Sequence, residues 1–479
     1  MRNIAQGVIL ALIISTAATG QSYNDVVRFS RQADYGSARY MALGGAFSAL
    51  GNDFSAAAMN PAGLAVYRHD ELSFSTNYRN TLTETGHYGK STEGLDGRFS
   101  FHQFGIVLVT DLEDDARFNF GIRYNRTNDY GFEQQINATN TDGSIVDQWF
   151  DNADFYSPNS ADLWGAGLIF EQLAADVELI GFNSGTSSWE QYAWGTDVLQ
   201  KESFISHGGR GEFALDFAYE KDNEWHFGGS IVIPTILYQS REIYSESNFD
   251  PASSFRSFTM KDNNDIRGTG IQINAGVLWT PENFGRVSAY IHSPTFWSFA
   301  QSGSLEFTSY DKTGGGSLNS YQPFDDFLWR MQTPMVFGAG YAYVFDKYGL
   351  ISVDYSYQDM TTARVSARRY PGELDYLNED IDNQLKGVQD IRVGGELRLD
   401  KMFLRGGYHY TSTPFKTSEP VAYQYSLGWG YKANQWGVDL TYSRKVRSDS
   451  FYLYSDLYTQ PTSRTITDNI FVATVYFRL

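Results

Sequence analysis

The chain has 479 residues, with 56 acidic against 37 basic side chains, no Cys, 45 Gly and an aromatic content of 16%. A formal charge of −19 excludes nucleic acid as a partner, and the lack of Cys excludes disulfides, thiol catalysis and lipid anchoring through an N-terminal Cys. Although 42% of residues are hydrophobic, no run approaches the ~20 apolar residues of a membrane helix, and the dominant period is two, the signature of half-buried strands.

In chain order, residues 1–20 read as a secretory signal peptide: basic Arg2, a short apolar run, then small residues at the cleavage position. Residues 21–68 do not alternate. They are rich in Gly, Ala and Ser, with a turn-forming Asn60-Pro61, and suit short helices and tight turns of small cross-section.

From residue 69 to 479 apolar and polar residues alternate in segments of about ten or more, the length of a tilted membrane strand. Leu72, Phe74, Thr76 and Tyr78 share one face and Ser73, Ser75, Asn77 and Arg79 the other; Phe213, Leu215, Phe217 and Tyr219, and Ile351, Val353, Tyr355 and Tyr357, repeat the pattern. Six connections read as short and polar: 111–116, 220–224, 280–285, 345–349, 399–402 and 431–436. Between them lie longer stretches, 85–97, 128–205, 245–266, 311–328, 363–385, 412–420 and 447–464. Short turns alternating with long loops predict an all-β, transmembrane antiparallel barrel of about 14 strands, with the short turns periplasmic. The closing run NIFVATVYFRL ends on an alternating apolar face, resembles the C-terminal signal read by the barrel-assembly machinery, and places Tyr476 and Phe477 at the lower aromatic girdle. Outer-membrane lipid and lipopolysaccharide are then the expected surroundings.

The stretch GGAFSALGNDFSAAAMNPAGLA resembles the hatch signature of the FadL/TodX family of outer-membrane transporters for fatty acids and aromatic hydrocarbons, carried by Gly44, Gly45, Asn60, Pro61, Ala62 and Gly63. TPMVFGAGYAYVFDKYGLISVDYSYQDM, IRVGGELRLDKMFLRGGYHYTSTPF and YSLGWGYKANQWGVDLTYS are similar to its later strands. The resemblance implies a barrel of fourteen strands stoppered by its N-terminal hatch, passive uptake of a hydrophobic small molecule, and no enzymatic step or cofactor. It also implies a lateral opening at an inward kink of the third strand, here within 118–130 with Gly121 as its soft point.

For the ligand, the long loop 128–205 contains ADLWGAGLIFEQLAADVELIGF, in which Trp164, Leu168 and Ile169 belong to an amphipathic helix that either captures solute or packs onto neighbouring loops. Arg123, Arg392, Arg398 and Arg405 fall on the polar phase of their strands and would meet either a fatty-acid carboxylate or the lumenal carboxylates Glu396, Asp354 and Asp439. Pro234 and Ser293-Pro294 interrupt strand chemistry and mark candidate kinks. The seven His lack metal-ligand spacing. Three alternatives stay open: a binding or assembly partner in protein secretion, as for related barrels of the PorV type; haem uptake through a lone His; and a barrel phospholipase, for which no Ser/His nucleophile context is present.

Overall fold

The computed structural model describes residues 21–32, 35–282, 284–312, 316–417 and 421–479; the expected signal peptide lies outside them. The described residues between 21 and 68 form three short helices, α1 (Tyr23–Ser30), α2 (Ala38–Ala42) and α3 (Phe54–Met59), and a 3₁₀ turn, Pro61–Val66. Each helix begins on a side-chain cap: Ser22, Ser37 and Asp53 accept from backbone amides of the first turn.

Fourteen staves follow. They are β1 (Glu71–His87), β2 (Lys90–Asp111), β3 (Ala116–Asp129, then Phe132–Asn140), β4 (Val198–Lys221), β5 (Trp225–Ser247), β6 (Phe255–Trp279), β7 (Arg286–His292, then Phe296–Asp311), β8 (Ser317–Gln332, then Val336–Phe345), β9 (Gly349–Asp359, then Arg364–Ala367), β10 (Gly387–Leu399), β11 (Met402–Thr411), β12 (Val421–Lys432), β13 (Trp436–Phe451) and β14 (Thr462–Arg478). Every neighbour pair is antiparallel, and β14 pairs with β1 from Arg478↔Glu71 to Ser463↔Gly86, which closes the sheet. Closure leaves no edge, the condition for a sheet to stand in lipid.

The two faces sort as the alternation requires. Phe74, Tyr78, Phe213, Leu215, Ile351 and Val353 are exposed, while Ser73, Asn77, Arg79, Glu212, Asp216 and Asp354 are buried towards the lumen. At the periplasmic rim Trp225 stacks on Trp279 at 5.6 Å, and Trp279 and Tyr341 both pack against Phe284, an aromatic row at interface level. Phe477 is exposed on the outer face like that row, but Tyr476 turns inward and lines a periplasmic cavity.

The six short turns fall where the sequence puts them. The extracellular side differs. Stretches 85–97, 245–266 and 311–328 are largely strand: β1 and β2 meet at a tight Tyr88-Gly89 turn, and β6 runs for 25 residues. A tilted strand of that length stands roughly 60 Å tall against an apolar band of about 25 Å, so the wall on this side rises well above the membrane, whereas β10, β11 and β12, with 13, 10 and 12 residues, end near its upper edge. In 128–205 the chain forms α4 (Ile145–Tyr156), α5 (Ile169–Asp176) and a short hairpin, Ile180–Asn183 with Ser188–Gln191. These pack on Tyr244, Phe258, Leu305 and Phe307 of the wall and cap the top. A sixth helix, α6 (Asp375–Gln384), follows β9.

Candidate functional site: the hatch, the lumen and a seam in the wall

The N-terminal segment fills the lumen and touches staves all round it. Ala38 N–H donates to Thr474 Oγ1 (2.7 Å), and Thr441 Oγ1 donates to Ala38 O (2.5 Å). Ser48 bonds Asp354, Arg286 donates to Leu50 O (2.8 Å), His292 Nε2 donates to Met59 O (2.7 Å), Gln103 donates to Ser55 Oγ (2.9 Å), and Asn119 donates to Leu64 O (2.8 Å). These anchors belong to β14, β13, β9, β7, β2 and β3.

Close approach is possible because lumen-facing positions under the hatch are glycine. A methyl at Gly228 would strike the Pro61 carbonyl and the Ala62 amide; at Gly276, the Asn60 side chain; at Gly407, the Leu43–Gly44 peptide; at Gly105, the Phe54 ring. The hatch residues singled out from sequence sit on this seat. Gly44 and Gly45 carry φ of 61° and 77° at the end of α2, a left-handed turn that favours glycine, and Gly44 lies against the Tyr408 backbone. Asn60 is fully buried: its Oδ1 accepts from Ala62 N–H (3.1 Å), and its Nδ2 donates to Ser48 O (3.0 Å) inside the hatch and to Val277 O (3.3 Å) in the wall. Pro61 opens the 3₁₀ turn, Ala62 is sealed beneath Gly228, and Gly63 leaves room for Gly51. Asn60 thus ties hatch to hatch and hatch to wall. Sequence reasoning missed the wall glycines, though their signal is present: Gly at a polar-phase position of a strand.

The lumenal arginines face carboxylates. Arg123 bonds Asp216 at 2.8 Å, both without solvent exposure; Arg405 bonds Glu396 (2.7 Å) and Asp439 (2.5 Å); Arg392 donates to Ser356 Oγ (3.0 Å) with Asp390 at 3.8 Å. Buried ions so paired are positioned chiefly by each other. Arg392 nonetheless lines a central cavity of about 100 Å³ between the end of α1 and helices α2 and α3, and Arg405 and Arg398 line a periplasm-facing cavity of about 320 Å³.

Of the loop residues, Leu168 is buried, Ile169 is half-buried and Trp164 is 45% exposed. The expected long amphipathic helix is interrupted, because Gly165 and Gly167 precede it and Gly167 takes a φ of 77°; α5 begins at Ile169, and Leu163, Leu173, Val177 and Leu179 are covered by the cap.

Above the hatch, α1 inserts Phe29 into an aromatic cage. Its ring lies 5.2 Å from Phe299, 6.1 Å from Tyr130 and Tyr238, and 6.5 Å from Trp329. Tyr130 OH, Trp297 Nε1 and Trp329 Nε1 are buried there without a hydrogen-bond partner among the described residues. Unsatisfied donors in an apolar cage are costly, and they suit an acceptor-bearing apolar guest.

Among the described residues the wall has a seam at this level, between β2 and β4. β2 pairs with β3 only from Asp111↔Arg117 to Gln103↔Asn125, while β2 itself continues up to Lys90. Beyond Tyr130-Gly131 the second part of β3 passes inside β1 and β2: Arg79 donates to Gly131 O (2.6 Å), and Thr85 Oγ1 donates to Gln135 O (2.6 Å). The ladder therefore stops about 20 Å above the periplasmic turn. Across the gap Arg98 reaches His207 and Ser206 O of β4, and outside it Phe99 is 72% and Leu95 62% exposed. Gly121, the expected soft point, is laddered on both sides against Val107 and Asp216 and packs on Leu64; the break falls at Gly131, where a side chain would meet Arg98 and Asp96.

A closed barrel of fourteen staves, an N-terminal lumenal hatch and an inward turn of the third stave decide the architecture. This is the fold of the FadL barrels. A Pseudomonas aeruginosa FadL homologue superposes with a TM-score of 0.53 at 13% identity, covering 93% of this chain and 99% of that one. The P. putida toluene transporter TodX gives 0.54 at 12% identity over 94% and 99%, and the CymD monoaromatic hydrocarbon channel 0.51 at 10% over 93% and 98%. No family model matches the sequence, and no curated protein matches it. A FadL-fold barrel with a lipid-facing apolar girdle is a protein of the Gram-negative outer membrane.

Proposed function

We propose that the barrel passes hydrophobic small molecules, long-chain fatty acids or aromatic hydrocarbons, from the outer leaflet towards the periplasm by diffusion. The observation that carries this reading is the seam: the top of the barrel is packed shut, whereas the wall between β2 and β4 is unladdered beside exposed Phe99 and Phe101. An apolar solute already dissolved in lipid meets this gap without crossing water. Inside, the Phe29 cage and the central cavity lead to the hatch, whose Asn60 clamp would have to yield for release. Two of the FadL-fold neighbours are a toluene transporter and a monoaromatic hydrocarbon channel, which supports the same solute class. Gating by the hatch and the lack of an energy source are part of the proposal.

The test is uptake into liposomes holding the purified chain, with palmitate and toluene as probes. Transport of either above protein-free vesicles is expected. Absence of transport and of binding for both, with stable co-purification of a secretion complex, would favour the assembly-partner reading instead.

A further inference from the structure

Three adjacent staves are broken at one level. β7 stops at Ser293–Thr295, β8 at Thr333–Met335 and β9 at the Met360–Thr362 turn. The part of β9 below its break has 11 residues and spans about 25 Å when tilted, the height of the apolar band. What lies just above the break is therefore at the level of outer-leaflet headgroups.

Three of the outward residues there are basic. On β8, Trp329 and Met331 are buried and Arg330 points out; on β9, Val365 and Ala367 are buried while Arg364 and, just past the strand, Arg368 are exposed. Arg330 stands directly opposite Ser366 on one side and Ser298 on the other. Arg364 and Arg368 are its diagonal neighbours, roughly 7 Å away at Cβ. Three guanidinium groups thus border small serine positions that leave space between them. Arg364 bonds Asp382 at 3.2 Å; Arg330 and Arg368 have no side-chain hydrogen bond or ion pair among the described residues. The next outward cation along, Arg267, is matched by Asp265. Immediately below are exposed Phe296, Met335 and Phe337.

Unpaired cations are unexpected on a chain of net charge −19, and a cation cluster directly over an apolar face matches an amphiphile with phosphate at its head and acyl chains beneath. Guanidinium groups bind phosphate through paired, charge-assisted hydrogen bonds, and basic clusters at the membrane surface recognise anionic headgroups. We propose that Arg330, Arg364 and Arg368 form a binding site for the phosphorylated glucosamine head of lipopolysaccharide, with its acyl chains lying on Phe296, Met335 and Phe337. The site is on the outside of the wall and is independent of any transported solute.

The experiment uses the purified full chain in detergent, freed of endogenous lipid and mixed with diphosphoryl lipid A, dephosphorylated lipid A or phosphatidylethanolamine, with bound lipid read by native mass spectrometry. Diphosphoryl lipid A should be retained in preference to the other two. In R330A/R368A its retention should weaken roughly tenfold or more, since two charged hydrogen-bond donors are lost, while R330K/R368K should recover part of it. Folding of each variant is checked by its heat-modifiable mobility. Equal retention of phosphorylated and dephosphorylated lipid A by the unaltered chain, which needs no variant, would overturn the proposal, as would undiminished retention by folded R330A/R368A.

Discussion

Replacing Asn60 by Ala should loosen the hatch while leaving the barrel intact. The side chain makes three hydrogen bonds: it caps the 3₁₀ turn at Ala62, and it donates to Ser48 O and to Val277 O. Loss of an N-cap costs about 1 kcal/mol, and each donated bond is worth about 1 kcal/mol net, which gives about 3 kcal/mol for the three together. At 1.4 kcal/mol per factor of ten, local opening of residues 48–66 should become roughly a hundredfold more frequent. The β5–β6 ladder has its own backbone bonds, with Phe227↔Val277 and Gly228↔Gly276 in register, so exchange in the staves should not follow. Hydrogen–deuterium exchange on the purified barrel resolves the two regions. Asn60→Asp keeps the capping acceptor and loses both donors, so it should fall short of the parent in protection while keeping the turn. Unchanged exchange over 48–66 in Asn60→Ala, or loss of hatch and staves together, would refute the assignment of Asn60 as a local clamp.

Because the chain has no Cys, a thiol-specific cross-linker on Arg98→Cys/His207→Cys would act on the seam alone; uptake should drop to that of empty vesicles and return when the link is cleaved, and unaltered uptake would remove the seam from the route. Phe29→Ala empties a cage in which loss of a packed ring ordinarily costs about 3–5 kcal/mol; if the cage is a solute site, affinity for toluene should rise, measured by calorimetry, and a fall or no change argues that Phe29 is simply core. Glu171, in the extracellular cap, is buried with Asn152 donating to one oxygen, and burial raises its pKa above the usual carboxylate value. The folded cap therefore favours the protonated acid: stability is greatest below the ordinary carboxylate pKa and is lost as pH rises through the raised one. Exchange protection of residues 145–177 should decline over that interval, and Glu171→Gln should flatten the decline.

Much of the wall was legible from sequence because a strand's two faces report their solvents separately: Phe213 to Tyr219 face lipid and Glu212 to Ala218 face the lumen as the alternation says. The hatch was legible as small residues around Asn60-Pro61. Height above the membrane was not, since a strand keeps the same period of two whether its outer face meets lipid or water, and nothing in that period separates the strands of 85–97 and 311–328 from a long connection between two short turns. The helix Ile145–Tyr156 was recoverable from its capping box, Ser144 with Asp147; it was hidden inside a loop defined by its flanks. The lumenal arginines were correctly placed on the polar phase, but which carboxylate each meets depends on register across staves, which no single strand encodes. The family resemblance implies an opening in the third stave with Gly121 as its soft point, but Gly121 is laddered on both sides and the pairing with β2 ends higher up, because a glycine weakens a strand only where its neighbours do not ladder it.

The relief of the inner wall has a consequence for exchange between barrels. Hollows at Gly105, Gly228, Gly276 and Gly407 are cast to the contour of one stopper, so a leading segment borrowed from another such barrel would ride on the wrong bumps even if its own motif were intact. Stopper and cylinder in this molecule would have to be exchanged as a pair.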